Sequence, residues 1–109
     1  MPELILFWGH NPLYSSPDGE MGFGVKEALA RKPKTIVVDP RETMLARKAD
    51  IWLQLRPGTD DALALAMLNV IIEENLYDHD FVKEWTHGFD ALAERVKKYT
   101  PEWAAPITW

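Results

Sequence analysis

A chain of 109 residues, 47% hydrophobic and 27% charged, has the size of one small domain with a modest core of its own. Its net charge of −5 and pI near 5.1 argue against nucleic acid or an anionic membrane surface as a main partner. There is no run of about 18 apolar residues to span a bilayer, and no cysteine for a disulfide, a zinc–thiolate site or a cysteine-held iron–sulfur cluster within the chain. The start, MPELILFWGHNP, has neither a basic n-region nor a small-residue cleavage site, so it does not read as a signal peptide.

Leu4-Ile5-Leu6-Phe7-Trp8 is a continuous apolar run that breaks at Gly9-His10-Asn11-Pro12, which predicts a buried strand and a tight turn, as parallel sheets favour. Residues 13–24, rich in Ser, Pro, Gly and Tyr, read as a loop. A helix follows over residues 25–31, with a start nearer Glu20 left open, and stops ahead of Pro33. Residues 35–38 form a β-branched strand closed by Asp39-Pro40. A short helix is expected over 42–48, and a third strand over 51–55 ends at Pro57-Gly58.

Residues 60–75 carry the strongest helix signal. Thr59 stands as N-cap, Asp60 and Asp61 occupy the first turn, and Asn75 marks the end. The body, ALALAMLNVII, is apolar nearly all round and requires burial between a sheet and other helices. The tail from Asp78 suggests two shorter helices parted near Gly88, then one more with Thr100 as cap and Pro101 at its first position. This order predicts an α/β, Rossmann-like domain of three layers, with a mainly parallel sheet and flanking helices. Three strands make a thin sheet, a first sign that the chain is part of something larger.

In such a sheet, ligands bind outside the carboxyl ends of the strands. Those ends are Gly9-His10-Asn11-Pro12, Asp39-Pro40-Arg41 and Gly58-Thr59-Asp60, expected to line one edge. Gly9 permits close backbone approach, and Asn11 offers amide donors and an acceptor. Asp39 stands where a carboxylate accepts from ribose hydroxyls, Arg41 can present a fork to phosphate, and Asp60 could accept the paired N–H donors of a guanine edge. Asp before Pro is equally a turn starter, and Thr-Asp-Asp an ordinary helix start, so pattern alone leaves both carboxylates open. No GxGxxG is present. His10, His79 and His87 are too scattered for a metal site, Ser15 and Ser16 have no paired His and acid, and Trp52 and Trp85 read as packing residues.

Taken in order, Leu6-Phe7-Trp8-Gly9-His10-Asn11-Pro12, Val37-Val38-Asp39-Pro40-Arg41, Ala49-Asp50, Leu53 and Arg56-Pro57-Gly58-Thr59-Asp60, followed by the helical remainder from Ala62, strongly resemble the molybdopterin oxidoreductases of the dimethyl sulfoxide reductase superfamily. The resemblance runs from about Leu4 to Thr108. It implies the Rossmann-like segment that holds one of two molybdopterin guanine dinucleotides in a molybdenum-dependent oxidoreductase. By position, Gly9, Asn11 and Pro12 would line the dinucleotide near its phosphates. Asp39, Pro40 and Arg41 would contact the ribose and guanosine region, and Gly58, Thr59 and Asp60 the guanine. Family subunits are several times longer, and their molybdenum ligand and any iron–sulfur cysteines lie outside the matched stretch. The family usually continues with Gly after Ile107-Thr108, where this chain has Trp109.

The resemblance therefore implies a fragment of a catalytic subunit. It carries no catalytic residue and no metal ligand, and its partners would be the cofactor, the remainder of the subunit and an electron-transfer subunit. An exposed apolar helix or an unpaired sheet edge would favour self-association. A free-standing guanine-nucleotide-binding module, or a structural α/β module without redox chemistry, are the rival readings. A cytoplasmic or a periplasmic location in a prokaryote fits equally.

Overall fold

β-branched and aromatic residues build a parallel sheet in the first half of the chain, in a computed structural model that describes residues 2–15 and 19–109. Two compact units divide the chain, Met1–Gln54 and Leu55–Trp109. In the first, β1 (Leu4–Trp8), β2 (Lys34–Val38) and β3 (Ile51–Leu53) pair in the order β1-β2-β3, all parallel. The register sets Phe7 beside Val37 and Val37 beside Trp52. With a side-chain period of two, these residues share one face with Ile5 and Thr35.

That face is covered by α2 (Glu20–Ala30), through Val25 and Leu29, and by α3 (Met44–Lys48), through Leu45 and Ala46. The α/β class, the parallel sheet and its flanking helices are thus as expected. β1 is less buried than its unbroken apolar run implied. Ile5 and Phe7 enter the core, whereas Leu4 and Leu6 alternate onto the other face and stay exposed.

Residues 13–24 are not simply a loop. Pro12–Ser15 form a single helical turn, α1, and α2 begins at Glu20. Gly22 eases the packing of α2 on α1, because a Cβ there would crowd the Pro12 carbonyl oxygen at 3.2 Å. Ser16 and the two residues after it lie outside the described residues. Past α2, Lys32 takes a left-handed φ of 57° immediately before Pro33, which stops the helix. At the amino edge of the sheet, Asp50 accepts from the Thr35 backbone N–H at 2.8 Å and from its hydroxyl at 3.0 Å. These two bonds, helped by nearby Lys34, hold the Asp50 carboxyl below its ordinary range.

In the second unit, α4 (Asp60–Glu73) packs on α6 (Phe89–Val96) and α7 (Pro101–Thr108). It ends in a Schellman motif: Asn75, φ 56°, donates to Ile72 O, and Leu76 N–H reaches Ile71 O. Asn69, a polar interruption in the apolar run, is buried and donates to Val96 O at 3.0 Å, joining α4 to the end of α6. α5 (His79–Trp85) starts at Asp78, whose carboxylate accepts from Phe81 N–H, and Gly88, φ 80°, separates it from α6. Trp85 is not a packing residue. It is 75% exposed on a helix with no buried residue, next to exposed Phe81.

Two outcomes test these contacts. Asn69→Leu takes away one of two donors to the buried Val96 carbonyl, which keeps the Tyr99 N–H at 2.9 Å, and should lower stability by about 0.5–1.5 kcal/mol in urea titrations. The depressed Asp50 carboxyl contributes stability that is fully present above its unfolded pKa and is lost as pH falls through the folded one. Asp50→Asn should therefore be less stable than wild type at pH 7. The gap should close as thermal melts are taken below about pH 4.

Candidate functional site

Parallel pairing with matched strand ends puts the first two turns on one edge. β1 stops at Trp8 and β2 at Val38, and Gly9 N–H bonds to Val38 O at 2.9 Å across the gap. Gly9 has φ 59°, and a Cβ there would meet nothing within 4 Å, so the backbone conformation and not crowding asks for glycine. The Asn11 carbonyl accepts from Tyr14 and Ser15 N–H and starts α1. The Asn11 side-chain oxygen is buried, and no donor reaches it among the described residues. Pro12 is fully buried and presents no surface. His10 is exposed, with Nε2 3.3 Å from the Met21 sulfur.

Asp39 is 5% exposed at the end of β2. Its Oδ1 accepts from Arg41 N–H at 2.8 Å, an Asx turn, and lies 3.7 Å from Arg41 Nε, while the Arg41 side chain is 79% exposed. The Asp39 carbonyl accepts from Trp52 Nε1 at 2.9 Å and the Pro40 carbonyl from Gln54 Nε2 at 3.1 Å. Neither donor was expected from sequence, because a lone Trp on a strand and a Gln just past its end carry no local signal of what they reach. Thr43 caps α3 by accepting from Ala46 N–H. A cleft of about 450 Å³ opens between Asn11, Tyr14, Arg41 and Thr43.

Gly58, Thr59 and Asp60 belong to the second unit. Pro57 followed by Gly58 at φ 82°, with Thr59 N–H bonded to Arg56 O at 3.2 Å, has the signature of a type II turn. Arg56 N–H bonds to Thr108 O at 2.8 Å, and its guanidinium lies 5.9 Å from the Trp109 ring centre. Thr59 occupies the N-cap position but does not cap with its side chain. Its ψ is 19° instead of extended, and its hydroxyl donates to Arg56 O at 2.7 Å. Asp60 opens the 14-residue α4, and Asp61 accepts from Ala62 N–H.

An open parallel α/β sheet with glycine and Asx turns at its carboxyl edge is a Rossmann-like fold. The family model for molybdopterin oxidoreductase matches residues 2–101, and the chain belongs to that family. The family uses a molybdenum–pterin cofactor. The chain is 56% identical over 84 residues to acetylene hydratase of Syntrophotalea acetylenica, covering 77% of this chain and 12% of that protein. It is 45% identical over 107 residues to the F420-dependent formate dehydrogenase subunit alpha of Methanocaldococcus jannaschii, covering 98% and 16%. A third relative is the thiosulfate reductase molybdopterin-containing subunit of Salmonella typhimurium, 43% identical over 101 residues, covering 93% and 13%. The solved structure of acetylene hydratase from Pelobacter acetylenicus superimposes with a TM-score of 0.85 at 48% identity, over 97% of this chain and 14% of that one. The chain thus spans roughly one-eighth to one-sixth of the length of these relatives.

A buried carbonyl oxygen with no donor gives the ligand-free fold no hydrogen bond to lose. Asn11→Ala should therefore change ligand-free stability by less than about 0.5 kcal/mol, below the loss expected at the hydrogen-bonded Asn69, when both are measured by denaturant titration.

Proposed function

We propose that this chain grips the guanosine end of molybdopterin guanine dinucleotide in the catalytic subunit of a molybdenum-dependent oxidoreductase. The observation that carries the reading is the orphaned Asn11 side-chain oxygen at the carboxyl edge of the sheet. Burying such an oxygen costs free energy unless a ligand N–H or O–H reaches it. The neighbouring groups suit the same ligand. Asp39 is an acceptor for ribose hydroxyls, the exposed Arg41 fork suits a phosphate, and Gly9 leaves the backbone open to close approach. Pro12, being buried, would act by starting α1 behind Asn11. In the second unit, Gly58 and Thr59 shape the turn that presents Asp60 at the start of α4 for the paired N–H donors of guanine.

Bound cofactor of this kind supplies two-electron or oxygen-atom transfer at its metal. The residues here bind and orient its nucleotide end, and none of them performs the reaction. The relatives support this division. Proteins named for acetylene hydration, formate oxidation and thiosulfate reduction share 43–56% identity with this chain over most of its length. A segment common to such different reactions fits a shared cofactor better than a substrate. The rest of the catalytic subunit, with its metal ligand and any iron–sulfur cluster, would complete the site, and an electron-transfer subunit would be a further partner.

The test is made on the purified enzyme that contains this chain, by measuring molybdenum content and the GMP released by acid hydrolysis. Asp39→Ala and Asp60→Ala should lower both together, since a hydrogen bond to a charged group contributes on the order of tenfold or more in affinity. Wild-type enzyme that releases no GMP, or folded variants with undiminished molybdenum and GMP, would overturn the reading.

A further inference from the structure

The turn after β2 is tied down more heavily than its own chemistry requires. The Asx turn from Asp39 Oδ1 to Arg41 N–H already closes it locally. The β2–β3 ladder makes its last bond at Asp39 N–H to Leu53 O, 3.3 Å, and Pro40 has no N–H with which to continue it. Beyond that point, the carbonyls of Asp39 and Pro40 would ordinarily turn to water. Instead, two side chains from the neighbouring strand segment take them, Trp52 through Nε1 at 2.9 Å and Gln54 through Nε2 at 3.1 Å.

Those two carbonyls define the peptide planes on either side of Pro40. Because the proline ring already fixes φ at residue 40, clamping both planes leaves the path from Asp39 to Arg41 little freedom. Trp52 is anchored in its turn by packing against the Phe7–Val37–Leu45 core. Gln54 is exposed, so its contact with Pro40 has no burial behind it. We infer that Trp52 and Gln54 are positioning residues whose side-chain N–H groups set the Asp39–Arg41 turn, and through it the aim of the Asp39 carboxylate and the Arg41 guanidinium at a nucleotide. The inference rests on the cofactor reading above and names the determinants of its geometry. Such preorganisation raises affinity by removing the ordering cost of the turn from the binding step.

The experiment uses the holoenzyme and its cofactor-free form. Retention of molybdopterin guanine dinucleotide is compared with retention of the nucleotide-free pterin cofactor for Gln54→Leu, Gln54→Lys, Trp52→Phe and Asp39→Ala. Gln54→Leu and Trp52→Phe should each weaken the dinucleotide form on the order of three- to tenfold, the worth of one neutral hydrogen bond. They should leave the nucleotide-free form unchanged, and Gln54→Leu should not shift the melting temperature of the cofactor-free protein. Gln54→Lys, which keeps a donor, should recover most of the loss. Equal weakening of both cofactor forms would mean a merely structural role and overturn the inference. So would undiminished dinucleotide retention in Gln54→Leu and Trp52→Phe while Asp39→Ala loses it. If Asp39→Ala itself retains the dinucleotide, the cofactor reading fails and this inference fails with it.

Discussion

Hydrogen bonding on both sides of β2 is the constraint on which the first unit depends. Flanked by β1 and β3 in parallel, this strand buries Val37 and Val38 and fixes where both neighbours end. Parallel pairing delivers all three carboxyl termini to one edge, and so places Gly9 and Asp39 on it together. The Gly9 N–H to Val38 O bond extends that alignment one residue past the ladder. The covered face, from Phe7 through Val37 to Trp52, runs across the same three strands, so the core and the ligand edge share one register. A one-residue slip of β3 would turn Trp52 out of the core and its indole away from Asp39.

Backbone conformation decides what an oxygen-bearing side chain at a turn does. Thr43, Asp78 and Thr100 all precede helices with ψ of 171°, 103° and 164°, and each accepts from an N–H three residues on. Thr59 sits before a longer helix with acids in its first turn, yet its ψ of 19° directs its hydroxyl back to Arg56 O. The start of α4 is therefore not closed by its own N-cap side chain. Asp39, likewise, spends one carboxylate oxygen on the Arg41 N–H and starts no helix of its own. Among the three threonines residue type is the same, and ψ separates Thr59 from Thr43 and Thr100.

The three strands, the third ending at Leu53 and not at residue 55, the Asn75 stop, the Gly88 break and the Thr100–Pro101 start were legible because each rests on local chemistry: β-branching, a left-handed residue, a cap. Three features were not. The start of the helix over Glu20–Ala30 was obscured by Gly22 and Gly24, which lower helix propensity, although a Cβ at Gly22 would crowd Pro12 O at 3.2 Å. Asn69 looked like a flaw in an apolar run, but its partner lies 27 residues away at Val96. Trp52 and Gln54 gave no local sign of the carbonyls they reach 13 and 14 residues back. Of the site, the residues at the strand ends could be read from order and composition, whereas the groups that hold those ends could not.

That difference bears on how this edge would serve the proposed cofactor. The residues proposed to face it are few and chemically ordinary: an amide, a carboxylate, a guanidinium and glycines. Any one of them on a mobile loop would have to be ordered at the moment of binding, and the cost would come out of the affinity. Here the ordering is built into the sheet, through the ladder bond at Asp39, the Asx turn, and the Trp52 and Gln54 donors that fix both peptide planes around Pro40. A rigid edge of this kind would fix one end of a long ligand without touching its reactive end. Relatives named for a hydration, an oxidation and a reduction can then carry closely similar versions of it, because what differs among their reactions lies beyond the part of the ligand the edge would hold.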